Sequence, residues 1–231
     1  MLGHEVPSPE AARKFLYQFH EEQQIERAQA ELPVGQVSYI PAESRALGGL
    51  AQVNRDLVRE VGSRCPDQRI ATVDLDATVI ESFKREAPKT YEGTTGYQPM
   101  LALWAEMDLV LADEFRDGNV PATKALLPVT QRAFQALPES VKEFYFRGDS
   151  ACWDRALVNW LRDENRAEGP QGPITFAISV RMTASLKDRI RRMTESSWKP
   201  YREDADTVSE CIDLLNYWPE EEDRPEGSGP V

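Results

Sequence analysis

Arg69-Ile70-Ala71-Thr72-Val73-Asp74-Leu75-Asp76-Ala77-Thr78-Val79-Ile80 is the stretch on which the fold turns. Gly62, Pro66 and Asp67 punctuate the chain just before it, and Ile70, Val73 and Leu75 supply the apolar positions of a strand from Arg69 to about Ile80. A second short strand, Val141 to Phe146, runs into Arg147-Gly148-Asp149-Ser150, and a third spans Ile174 to Val180. The first two strands each end in an acid, Asp76 and Asp149. If those strands are neighbours, the two carboxylates converge at one edge of a sheet, where they repel unless a divalent cation lies between them. Oxygen ligands without histidine or thiolate favour Mg²⁺ or Mn²⁺ over zinc. Such ions orient phosphodiesters and activate water or a 3′-hydroxyl for in-line attack. Taken singly, either aspartate reads as a turn or cap residue.

The remaining elements are laid out around these strands. Ser8 and Pro9 open a helix carrying Ala11, Phe15, Leu16 and Phe19. Leu47, Leu50, Val53, Leu57 and Val61 recur at the spacing of a second amphipathic helix. Between Gly96 and Gly118, two apolar runs flank Glu106-Met107-Asp108 and predict a β-hairpin, although helical spacing also fits. A helix opening at Asn119 and Pro121 carries Leu126, Leu127, Val129, Phe134 and Leu137, and Pro138 closes it. Ser150 reads as the N-cap of the next helix, with Ala156, Leu157, Trp160 and Leu161 buried. Trp153 and Trp160 read as core residues rather than base-stacking ones. Three regions result: a helical N-terminal part over 1–66, an α/β core over 67–202, and an acidic tail over 203–231 expected to be exposed.

With 231 residues, the chain has room for one substantial core. No apolar run approaches the length of a membrane span, and the N-terminus shows no secretory leader, so the expectation is a cytoplasmic protein. Cys65, Cys152 and Cys211 are odd in number and widely spaced, and read as reduced thiols. His4 and His20 both lie near the N-terminus, which leaves any chemistry to carboxylates. The net charge of −12 disfavours a polyanionic partner at first sight, but nine of those charges belong to residues 203–231. Just before them, residues 181–202 hold Arg181, Lys187, Arg189, Arg191, Arg192, Lys199 and Arg202 against Asp188 and Glu195. This stripe is either a solvated helix face or a phosphate-contacting surface. Trp198, beside Lys199, either anchors the basic helix or stacks on an unpaired base.

From Ile70 to Val180 the sequence resembles the catalytic core of DDE-type insertion-sequence transposases. The resemblance rests on Asp74-Leu75-Asp76-Ala77-Thr78 and on Gly96-Tyr97-Gln98-Pro99 leading into Leu101-Ala102-Leu103-Trp104-Ala105. Phe115-Arg116-Asp117-Gly118-Asn119 and Arg147-Gly148-Asp149-Ser150 complete it. It implies an α/β fold of ribonuclease H-like type: a mixed sheet opening with an antiparallel meander, flanking helices and a helical N-terminal extension. It also implies a two-metal site for DNA cleavage and strand transfer. Asp76 would bridge two Mg²⁺ or Mn²⁺ ions and Asp149 would hold one, and DNA, as transposon ends and target, would be the partner. Arg147, Arg181, Lys187, Arg189, Arg191 and Arg192 would contact phosphates. The family's third acid lies on a helix, often within Tyr-x-x-Arg-x-x-x-Glu. Tyr201-Arg202-Glu203-Asp204-Ala205-Asp206 lacks that spacing, with Glu195, Glu203 and Glu210 as substitutes, so the expectation is a partial chain. Such a fragment could instead be a catalytically silent module binding DNA or pairing with an intact transposase or another copy of itself. Asp74-x-Asp76-x-Thr78 also resembles the nucleophile motif of haloacid-dehalogenase-type phosphatases, for which Asp74 would attack phosphorus and a strand-helix alternation would follow.

Overall fold

The computed structural model describes residues 8–17, 23, 26, 27, 30–32, 38, 40, 42–85, 87–204 and 207–211. Both histidines and the tail from 212 onward lie outside the described residues. Among the described residues no helix is long and apolar enough to cross a membrane.

A five-stranded sheet carries the architecture. β1 (Ile70–Ala77) is central, flanked by β4 (Met100–Trp104) and β5 (Leu109–Glu114) on one side and by β6 (Glu143–Gly148) and β7 (Ile174–Ile178) on the other. β4 pairs antiparallel with both β1 and β5, whereas β6 runs parallel to β1 and β7 parallel to β6. This is the mixed sheet with an opening antiparallel meander that the resemblance implies. The hairpin expected between Gly96 and Gly118 is present, with Asp108 in the left-handed region (φ 52°) to close its turn. β4 and β5 thus exclude the strand-helix alternation that the phosphatase reading requires.

Alternation along β1 explains its two faces. Ala71, Val73 and Leu75 are buried, while Thr72, Asp74 and Asp76 point the other way. Val73, Leu75, Ala102, Trp104 and Phe146 form the core with α3 (Leu126–Ala136) and α4 (Arg155–Arg162). Half-buried Trp160 packs against this core, its ring 5.6 Å from that of Phe134, as expected for a packing tryptophan.

Several boundaries differ from the sequence reading. β1 stops at Ala77, and Ile80–Glu81 (β2) pairs instead with Gly96–Tyr97 (β3) in a separate two-stranded sheet. α1 (Pro9–Tyr17) begins as expected, with the Ser8 Oγ accepting the Ala11 N–H at 3.2 Å. α2 (Arg45–Arg64) is capped by Ser44, but it buries Val58 and Gly62 and leaves Leu47, Leu50, Val53 and Leu57 exposed. Gly62 lets this helix approach the chain after α3, because a Cβ there would fall 2.5 Å from Pro138 Cγ. α3 starts at Leu126 rather than near Asn119, because Pro121 closes a turn to Lys124 and Ala125 is left-handed (φ 53°). Ser150 does not cap a long helix. Asp149 caps a single 3₁₀ turn, Ser150–Cys152, and Asp154 caps α4.

The basic helix is α5 (Ala184–Arg191), capped by Thr183 and anchored by buried Leu186. β8 (Lys199–Asp204) and β9 (Thr207–Cys211) form an antiparallel hairpin that straddles position 203, where the sequence reading begins the acidic tail.

Candidate active site

Parallel pairing of β1 with β6 sets Leu75 beside Gly148, so the next residues, Asp76 and Asp149, leave the sheet together at its carboxyl edge. Gly148 is required at this exit, because a Cβ would fall 2.6 Å from Cys152 Sγ. Asp76 Oδ1 accepts the Ala77 N–H at 2.9 Å, and Asp149 Oδ1 accepts the Ala151 N–H at 2.9 Å. Each carboxylate thus spends one oxygen locally, and among the described residues neither has an ion-pair partner.

Both acids line one cavity of about 700 Å³. Lys89, Thr90, Tyr91, Gln98, Ser150, Cys152 and Arg181 share its wall, as does the segment from Gly118 to Thr123. Electrostatics confirm that the two acids share an environment. Burial, then the charges of Asp149 and Asp76, push the Cys152 thiol up to about 12. The Tyr91 hydroxyl is raised chiefly by its hydrogen bond to Glu92, with both aspartates adding to the effect.

The cavity wall is held from behind by charge. Arg116 is 1% exposed and donates from Nε to Glu114 Oε1 at 2.8 Å, while Arg132 reaches Glu114 Oε2 at 3.2 Å. Arg116 Nη2 also donates to the Ala125 carbonyl at 3.5 Å, tying the end of the lining segment to β5. Gly118 donates its N–H to the Gly96 carbonyl at 3.1 Å, which brings that segment against β3.

Of the basic residues singled out from sequence, only Arg181 lines the cavity among the described residues. Arg147 lies next to Asp74 in the parallel register and is ion-paired with it on the open face of the sheet. Asp74 is accordingly engaged with Arg147 and lies apart from the cavity that Asp76 and Asp149 share. Lys187, Arg189 and Arg191 lie on α5 and Arg192 caps it, with Arg191 paired to Asp188 at 3.1 Å. Half-buried Trp198 follows a 3₁₀ turn, Glu195–Ser197, and does not line the cavity either. Sequence reasoning missed Lys89 and Tyr91. Their signal was available in Lys89-Thr90-Tyr91-Glu92-Gly93, a turn-forming run that places a cation and an aromatic beside each other.

A divalent ion fits the donor set in part. Mg²⁺ keeps several waters and is commonly held by one or two carboxylates, which Asp76 and Asp149 provide. Among the described residues no cluster of three or more acids, histidines or cysteines forms a metal site. Glu195 lies outside the cavity wall, and Glu203 and Glu210 occupy β8 and β9.

A mixed sheet with two acids at adjacent strand ends, opening on one shared cavity, defines an α/β fold with a carboxylate pair at its carboxyl edge. The family model for the transposase DDE domain, group 1, matches residues 18–222, and the chain belongs to that family. Among solved structures, the crystal structure of the Mos1 strand transfer complex is similar at 19% identity and a TM-score of 0.24. That match covers 74% of this chain and 61% of the other, so the chain spans less than two thirds of that relative. No curated protein matches the chain.

Proposed function

We propose that this protein binds DNA and cuts its phosphodiester backbone in a divalent-metal-dependent step of transposition, with Asp76 and Asp149 as metal ligands. The observation that carries this reading is the shared cavity. Two acids from distant parts of the chain line it together, accompanied by the cations Lys89 and Arg181. Bound Mg²⁺ or Mn²⁺ would polarise the scissile phosphate and lower the pKa of the attacking hydroxyl or water. Asp76 and Asp149 would hold and orient the ion. Lys89 and Arg181 would position the phosphate between them, and α5 would follow the backbone farther out through Lys187, Arg189, Arg191 and Arg192.

One test is nicking of supercoiled plasmid in Mg²⁺ or Mn²⁺. The expected result is nicking by the wild-type chain that chelation, Asp76→Asn and Asp149→Asn each abolish. Nicking that survives both substitutions would sink the assignment. A second reading is favoured by the pair of acids standing without a third among the described residues: a catalytically silent DNA-binding module. It would show salt-sensitive DNA binding with no nicking in either metal.

A further inference from the structure

Tyr91 occupies the tip of a short, tightly turned hairpin. Lys89 bridges to Thr95, and the Thr90 N–H donates to the Thr94 carbonyl at 2.7 Å. The Gly93 N–H closes a β-turn onto the Thr90 carbonyl at 3.1 Å, and Gly93 takes φ +86° to return the chain. That combination, a three-residue loop with glycine in the left-handed position, is among the tightest ways to join two strands. Tip positions ordinarily carry small or polar residues, because nothing packs on them. Here the first tip residue is a tyrosine, 74% exposed, whose hydroxyl donates to Glu92 Oε1 at 3.1 Å. The residue presents its ring to solvent while it forms part of the wall of the cavity that holds Asp76, Asp149, Lys89 and Arg181. The cavity, about 700 Å³, lies in the size range of sites that take one small ligand or one nucleotide unit.

We infer that Tyr91 is a stacking platform for one unpaired nucleobase, which it holds beside the two acids while Lys89 and Arg181 take the flanking phosphates. The inference deepens the proposed function and rests on it. An exposed ring offers a π-face that any base can use, so the contact selects single-stranded or flipped-out nucleotides rather than a sequence. It adds position where the acids add charge. A base stacked on the ring limits where the adjacent phosphate can lie, and orientation of that phosphate is what in-line attack requires.

The experiment uses the full chain, Mg²⁺, and oligonucleotides carrying 2-aminopurine, either single-stranded or as a duplex with the probe in a 3′ overhang. Wild type and Tyr91→Phe should quench the probe and bind alike. Tyr91→Ala should lose the quenching and bind about 5- to 140-fold more weakly, the loss of one base–aromatic stack. Lys89→Gln should weaken binding while leaving the quenching of bound probe intact. Because Tyr91 is exposed, these variants should melt with the wild type, and circular dichroism checks it. Quenching and affinity unchanged in Tyr91→Ala would overturn the inference and leave plasmid nicking unaffected as evidence for the function. Tyr91-dependent quenching without nicking would uphold the platform and remove the catalytic reading. A wild-type chain that binds neither oligonucleotide overturns both.

Discussion

Asp149 carries two duties that substitution can separate. Its Oδ1 caps the turn Ser150–Cys152 through the Ala151 N–H, and its charge faces the cavity. Asparagine keeps an accepting oxygen and removes the charge, whereas alanine removes both. Asp149→Asn should therefore unfold close to the wild type in urea, and Asp149→Ala should lose about 1 kcal/mol, the usual worth of a cap. Equal stability losses for both would mean the charge itself is structural. Cys152 gives a second residue-level readout. Burial and the neighbouring Asp149 and Asp76 raise its thiol from 9.0 to about 12, so the folded state holds its proton more tightly than the unfolded chain. Stability from this group is fully present below pH 9.0 and is lost as pH rises toward about 12. In alkylation at about pH 8 followed by mass spectrometry, half-exposed Cys65 should react while Cys152 stays protected until denaturant is added. Rapid native labelling of Cys152 would contradict its burial.

Among elements, the segment from Gly118 to Ala125 depends on charges that lie behind it. Glu114 serves two arginines at once, and Arg116 is buried. Glu114→Gln leaves the Arg116 guanidinium uncompensated and should cost on the order of 3 kcal/mol, measured by urea unfolding. Arg116→Met in the same chain should recover part of that loss, and no recovery would show that the two side chains act independently. The sequence marked Arg116 as part of Phe115-Arg116-Asp117-Gly118-Asn119, but its pairing with Glu114, which Arg132 shares, depends on tertiary packing and was not legible there. The period-two pattern of β1 and the Gly-Asp exit from β6 were legible in local chemistry, and the hairpin was legible from its two short apolar runs although helical spacing also fitted them. The failures occurred where tertiary contacts decide. α2 turns Val58 and Gly62 inward and leaves the Leu50, Val53 and Leu57 stripe exposed, because Gly62 permits a close approach that a larger residue forbids. Asn119 and Pro121 looked like a helix start, but the backbone there is bent into the cavity wall. Tyr91 and Lys89 reach the site through a hairpin tip whose direction no spacing rule encodes.

At the scale of the whole molecule, charge is segregated: nine of the chain's twelve net negative charges lie after position 202, and a net positive run lies on and around α5. DNA affinity should accordingly fall steeply with salt. Neutralising Lys187, Arg189, Arg191 or Arg192 to glutamine should each flatten the slope of log K against log salt by about 0.9 on duplex DNA. The weakening should be the same for unrelated sequences, and sequence-selective loss would point to base reading instead. The segregation was legible from composition. Which cation reaches the acids was not, because Arg181 gains its place from the path of the chain after β7 rather than from its neighbours in sequence.

The central strand also has a consequence for biosynthesis. Asp74 and Arg147, partners across the parallel pair, are separated by 73 residues, whereas the β4–β5 hairpin closes locally. During translation the meander can assemble while one edge of β1 still waits for a strand the ribosome has not released. Closing so long a loop is entropically costly, and an unpaired edge is a template for sticking to other chains. Nascent protein halted before residue 148 should therefore need chaperone protection, and release of β6 should be the moment at which solubility and the two-acid centre arise together.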